Sequence, residues 1–223
     1  MVSESFCATC LRTVYAGDDE FCPVCASPLL RTGVAVAENT DPVTVSASVD
    51  PSLIPDDESF RLEAVKRYEI LDTPRDGAFD RITSLASKIF NVPISTVTIV
   101  DSDRIWFKSA TGLEAEQIDR DPGLCASAIL VDEPWVVEDA KKDPRTLENP
   151  LVLGDLGLRF YAGVPLVTGD GYKLGMLNII DQQPRELSED ELSILQELSK
   201  IVVDELELRL AARRMHKELS TQN

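Results

Sequence analysis

The sequence predicts an α+β fold built on an antiparallel sheet, and three observations carry that prediction. Helical periodicity opens and closes the main segment. Two pairs of β-rich runs, "ISTVTIVD" with "RIWFKSAT" and "RFYAGVPLV" with "KLGMLNIID", are each joined by a short turn signal, "SD" and "TGDG". The resulting order is helix, helix, hairpin, irregular middle, hairpin, helix. It keeps strands beside strands, whereas a parallel sheet would alternate them with helices.

The elements follow in order. Phe60, Ala64, Tyr68 and Leu71 recur at helical spacing, and "DTP" stops that helix. A second helix runs from about Gly77 to Phe90, with Phe79, Ile82, Leu85, Ala86 and Ile89 expected on one face, and Asn91 and Pro93 end it. The first hairpin comes next. The stretch from Gly112 to Pro150 is mixed, with a helix candidate at "LCASAIL" and a strand candidate at "PWVVED". Its loops are marked by Pro122, Pro134, Pro144 and Pro150. After the second hairpin a long helix starts at Ser188, where Glu191 three residues on completes a capping box.

Composition bounds the function. The chain has 223 residues and a net charge of -17, with 39 Asp and Glu against 22 Lys and Arg. Such a surface repels phosphates on average, so nucleic acid is not the expected partner. The basic "RLAARR" is local and reads as solvated positions late in a helix. No apolar run approaches the ~18 residues that a membrane helix needs, and the N-terminus lacks the pattern of a secretory signal. The expected location is cytoplasmic.

Four of the five cysteines stand in the opening stretch as C-x2-C, eleven residues, C-x2-C: Cys7, Cys10, Cys22 and Cys25. Two such turns bring four thiolates to one tetrahedral ion. A segment this short needs a staple to fold. Paired disulfides fit a reducing cytoplasm poorly, and a redox CxxC would sit in a βαβ setting that is missing here. Residues 1–30 look like a zinc ribbon, whose closed four-thiolate site makes the zinc structural. Residues 31–58, rich in Ser, Thr, Val, Asp and Pro, read as a flexible linker. The main domain is expected over 59–210 and a helical extension over 211–223.

The main domain resembles a GAF domain of the kind placed ahead of bacterial signalling output modules. The resemblance rests on "RLEAVKRYEILDTP", "FDRITSLASKIFNVPISTVTIVD", "IWFKSATGL", "DPGLCASAI", "DPRTLENPLV", "RFYAGVPL", "LGMLNIID" and "PREL", which occur in family order. It implies a central antiparallel sheet with the terminal helices on one face and a ligand-sized cavity on the other. It also implies sensing of a small molecule, redox state or light, or dimerisation. The sequence departs from the family at Ser127, where relatives commonly carry histidine, and at Asn178, where they often carry cysteine.

Little catalytic chemistry is available. His216 is the one histidine and lies near the end of the last helix, which excludes Cys–His and His-ligated metal chemistry in the core. Cys125, the one cysteine of the main domain, sits among acidic residues and is expected to be packed and inert. The resemblance makes Trp106, Cys125, Phe160 and Asn178 the candidate lining of a cavity for an unidentified ligand, with core packing as the alternative for the aromatic pair. Asn178 is the more telling, because strand alternation puts it with Met176 and Ile180 and opposite Leu177 and Ile179. A polar amide on an apolar face needs a partner. The expectation is a non-catalytic sensory or regulatory protein that works through a small ligand, dimerisation or both, on a signalling output protein. The alternatives are a scaffold that only dimerises and a thiol-based redox sensor or enzyme using Cys125. A homodimer is expected because the last helix carries two apolar stripes. Leu195, Leu198, Val202, Leu206 and Leu210 form one; Ile194, Leu198, Ile201, Leu208, Ala212, Met215 and Leu219 follow heptad steps, broken at Glu205.

Overall fold

The computed structural model describes residues 49–221, together with the backbone of three short strands nearer the N-terminus. Those strands are β1 (Ser3–Cys7), β2 (Arg12–Ala16) and β3 (Leu30–Arg31), an antiparallel sheet in the order β2-β1-β3. Cys7, the last residue of β1, pairs with Arg12, the first of β2. Cys10, Cys22, Cys25 and the Cys7 side chain lie outside the described residues.

The main domain is the compact unit Ala47–Leu210. Its elements are α1 (Glu58–Arg67), α2 (Gly77–Ile89), β4 (Ile94–Val100), β5 (Arg104–Thr111), β6 (Gln117–Asp119), α3 (Leu124–Ala128), β7 (Trp135–Val137), α4 (Pro150–Leu153), β8 (Phe160–Val167), β9 (Lys173–Asp181) and α5 (Glu189–Thr221). Six strands form one antiparallel sheet in the order β6-β5-β4-β9-β8-β7, with both expected hairpins present. Strand alternation then splits the core in two. Val97, Ile99, Leu177 and Ile179 face α1, α2 and α5, while Val100, Phe107, Met176 and Tyr161 face α3 and the loops around it. On α5, Leu195, Leu198, Val202, Leu206 and Leu210 are all buried against the sheet, each contributing about 1.5–3 kcal/mol. The capping box forms: Ser188 Oγ accepts from the Glu191 amide, and Glu191 accepts in return from the Ser188 amide. Gly175 leaves room for β4 beside it, since a side chain there would stand 1.9 Å from the Thr98 carbonyl oxygen.

Four expectations need correction. Residues 51–58 belong to the domain and not to a linker: Pro51–Leu53 form a 3-10 turn capped by Asp50, and the Leu53 carbonyl accepts from Arg120. The first helix stops at Arg67, short of Leu71, because Glu69 and Asp72 take left-handed backbone conformations that a helix cannot contain. Phe60 is exposed, and Arg61 takes its expected inward place. Arg61 is buried because its guanidinium has partners there, Glu58 and the Val100 carbonyl. On α2, Phe79, Ile82, Thr83 and Ala86 turn inward, while Leu85 and Ile89 face out. Thr83 is accepted inside because it bonds Ser109 and Thr111 on β5, which turns the buried face of the helix away from Leu85.

Candidate functional site

The sheet divides the four candidate lining residues between its faces. Trp106 and Phe160 pack into the helix-side core, whereas Cys125 and Asn178 meet on the opposite side. The reason is parity: Trp106 pairs with Ile99 across β4 and β5, and Phe160 stands two residues from Ala162 along β8, and Ile99 and Ala162 both belong to the helix face. The fold therefore assembles half of the expected set.

Around Asn178 the sheet builds a closed polar cluster. The Asn178 amide nitrogen donates to Thr96 Oγ1 at 2.9 Å, with Thr98 Oγ1 at 3.3 Å and Cys125 Sγ at 3.5 Å. Its amide oxygen accepts from the Tyr161 hydroxyl at 2.7 Å, and that hydroxyl also lies 3.5 Å from Cys125 Sγ. All five residues are buried. Gly163 makes room for them, because a side chain there would collide with both the Tyr161 hydroxyl and the Asn178 amide. The partner that the amide requires is thus supplied by neighbouring strands. Tyr161, Thr96 and Thr98 escaped the sequence reading, although the threonines of "ISTVTIV" on the alternation phase of Asn178 were the available signal.

Electrostatics keep this cluster neutral. Burial pushes the Cys125 thiol up, against the hydrogen bonds from Thr98, Tyr161 and Asn178, which lower it. Burial, with the neighbouring Cys125 adding to it, pushes the Tyr161 phenol well above its ordinary value. Cys125 in the folded protein is accordingly expected to resist a thiol reagent at neutral pH and to react only on unfolding. Peptide mass mapping separates it from the N-terminal cysteines, and rapid labelling of Cys125 would contradict this.

A second buried cluster lies on the helix face. The register of β4 and β5 steps from Val97–Ser109 to Thr98–Phe107, leaving Lys108 as the extra residue of a β-bulge. Lys108 is 1% exposed and donates to the Pro74 carbonyl (2.6 Å) and Thr73 Oγ1 (3.0 Å), and it pairs with Asp76 at 2.8 Å. Asp76 also caps α2 through the Ala78 amide and receives both terminal nitrogens of Arg209 from α5 at 2.8 Å each. The Phe79 ring lies beside both cations, 5.4 Å from Lys108 and 4.7 Å from Arg209. Burial would raise the Asp76 carboxyl, but Arg209 and Lys108 outweigh it and hold the group below the usual carboxylate range. A lysine inside the apolar run "RIWFKSAT" was the sequence signal for this site.

Among the described residues no group of three or more His, Cys, Asp and Glu is placed to hold a metal ion, and no helix is long and apolar enough to cross a membrane. The structure is thus an α+β domain, an antiparallel sheet with helices on one face, a polar cluster beneath short helices on the other and a long closing helix. The GAF domain family matches residues 74–206, more than half of the chain, and the chain belongs to that sensory and signalling family. It is 38% identical over 150 residues to a cyclic di-GMP phosphodiesterase of Pseudomonas aeruginosa, a match that covers 67% of this chain and 26% of that protein. The fold is similar to the GAF domain of an Acinetobacter phosphoenolpyruvate-protein phosphotransferase, with a TM-score of 0.52 and 19% identity, covering 71% of this chain and 97% of the other. It is also similar to the blue-light absorbing form of the Thermosynechococcus elongatus PixJ GAF domain, with a TM-score of 0.50 and 15% identity, covering 71% and 94%.

Proposed function

We propose that this chain is a non-catalytic cytoplasmic regulatory module of a bacterial signalling system, which self-associates through the outer face of α2 and α5 to control an output protein. One observation carries the reading. Ile194, Ile201, Leu208 and Met215 recur every seven residues along α5 and are 42%, 51%, 66% and 63% exposed. A seven-residue apolar repeat on the outside of a helix is the pattern of a helix-to-helix seam. Leu85, beside Ile201 and Leu208 across a groove between α2 and α5, widens the apolar surface. Sedimentation equilibrium of the full chain tests this: a dimer is expected at about 10 µM, and a monomer there contradicts it.

The absence of a catalytic role is supported by Cys125, whose polar contacts are two hydroxyls and an amide, without a base to activate the thiol. The relative in Pseudomonas aeruginosa supports an output in signalling-nucleotide hydrolysis, because this chain is similar to a part of that phosphodiesterase.

A small-ligand role is the second reading, favoured by the five buried polar residues that meet around Asn178. These groups satisfy one another in the closed cluster, and a ligand that opened it and exchanged bonds with them would find several partners together. It would contact Asn178 and Cys125, not Trp106 or Phe160. A metabolite screen that raises the melting temperature of wild type but not of Asn178→Leu supports it; no shift with any compound removes it.

The N-terminal segment is proposed as a docking head in which Cys7, Cys10, Cys22 and Cys25 hold one structural zinc ion. The antiparallel pairing of β1 with β2, in which Cys7 is the last residue of β1, supports this, since a C-x2-C that begins at a strand end is suited to offering paired thiolates to one ion. Metal analysis is expected to find one zinc per chain, and a chelator is expected to collapse the amide dispersion of residues 1–30. Zinc-free protein with the same dispersion would contradict the assignment.

A further inference from the structure

We propose that the β5 bulge mechanically links the two buried clusters, so that a change at Asn178 on one face of the sheet is read by Arg209 and α5 on the other. This deepens the regulatory reading, since α5 is also the helix whose outer face carries the seam.

The bulge is where the two clusters come within one residue of each other. Thr98 pairs with Phe107 at the step in register, and Lys108 is the next residue of β5. Thr98 is committed on its side of the sheet. Its hydroxyl donates to the Met176 carbonyl at 3.2 Å, lies 3.5 Å from Cys125 Sγ and accepts from Asn178. Lys108 is committed on the other side, with its three donor hydrogens matched by Thr73, Pro74 and Asp76. The extra residue of a bulge is unpaired in the ladder, so Lys108 can shift without sliding β5 along β4.

Movement of Thr98 therefore displaces Lys108, and Lys108 cannot move without releasing Asp76. Asp76 in turn holds α5 by the two-nitrogen fork of Arg209, which Glu205 orients from one turn earlier at 2.7 Å. The two states are a clasp closed on Arg209 when Lys108 is seated and a clasp loosened when it is not. The route runs through contacts that each have one alternative, made or broken, and both clusters bias the same element.

Native-state hydrogen exchange on the full chain tests the link, with Thr98→Val as the perturbation. Valine keeps the shape and removes the hydroxyl. Val152→Ala, at the one buried position of α4, is the control for general destabilisation. Relative to that control, Thr98→Val is expected to speed exchange of the α5 amides from Glu205 to Leu210 at least threefold. The same substitution in a Lys108→Met background is expected to leave those amides unchanged. Exchange altered only in β4, β8 and β9, or altered uniformly as in the control, would overturn the proposal. So would an equal increment in the Lys108→Met background. The Nε–H resonance of Arg209 gives a second readout in Thr98→Val alone: a displaced signal is expected, and an unmoved one overturns the link even if Lys108→Met does not fold. Sedimentation of the same samples reports on self-association separately, so a monomer with a displaced Arg209 signal removes the seam and keeps the link.

Discussion

Asp76→Ala is expected to cost about 3–5 kcal/mol of unfolding free energy, chiefly the penalty for leaving buried Lys108 without its ion-pair partner, while Arg209 keeps Glu205. Lys108 is almost wholly buried and Arg209 nearly so, and Asp76 is the carboxylate both of them share. Alanine also removes the cap on the Ala78 amide, a smaller loss of about 1 kcal/mol. Asp76→Asn separates the two effects, because it keeps a capping oxygen and removes only the charge. Urea unfolding midpoints at constant m-value report both variants. The pH dependence has a definite sign. The folded-state carboxyl is depressed, so its stabilisation is complete above the unfolded value of about 3.9 and is lost as the pH falls through the lower folded value. Glu58 acts in the same sense: burial raises it, but the hydrogen bonds from Arg61 and Arg120 prevail. Stability is therefore expected to hold through the neutral range and to fall below about pH 4. The difference between wild type and Asp76→Asn should shrink over the same interval. A loss under 1 kcal/mol for Asp76→Ala would mean that the cluster does not hold α5.

The pair Ile201→Asp and Leu208→Asp in one chain is expected to weaken self-association at least a hundredfold while leaving the fold intact. Both side chains are more than half exposed, so little intramolecular packing is lost. In a dimer seam the same positions would bury two side chains from each protomer, each contributing about 1.5–3 kcal/mol. The aspartates would also bring like charges together across the seam. One decade of affinity is about 1.4 kcal/mol, so even partial burial exceeds the hundredfold bound. The matched control is Leu198→Ala, which sits on the inward stripe and is expected to lower stability by about 2–5 kcal/mol. Equal dissociation constants for wild type and the double variant would place the seam elsewhere.

The four long strands, both hairpins and the last helix were legible because each depends on short-range signals: alternation, turn residues and a capping box, whereas short β6 was not read. The facing of Asn178 was legible too, since parity along "KLGMLNIID" fixes it without knowledge of any other strand. The resemblance grouped Trp106 and Phe160 with Asn178, and parity could not separate them, because it orders residues within one strand and says nothing of which neighbour shares the face. That needs the register of β4 against β5 and β9, and the bulge at Lys108 changes that register midway. The outward turn of Leu85 and Ile89 was hidden for a related reason. An apolar helix position reads as buried until it is known that Thr83 finds hydroxyl partners on β5. The burial of Arg61 and Arg120 was illegible, because each also needs a carbonyl distant in sequence, that of Val100 for Arg61 and that of Leu53 for Arg120.

Native mass spectrometry of the full chain at about 10 µM, sprayed from a volatile salt near neutral pH, tests the central claim most directly. The claim is that the exposed face of α5 is covered by a second copy. The result expected is a species of twice the 24.6 kDa chain mass that collapses to the single mass in the Ile201→Asp, Leu208→Asp variant. A wild-type spectrum with only the single mass, or a double mass that survives both substitutions, would contradict it.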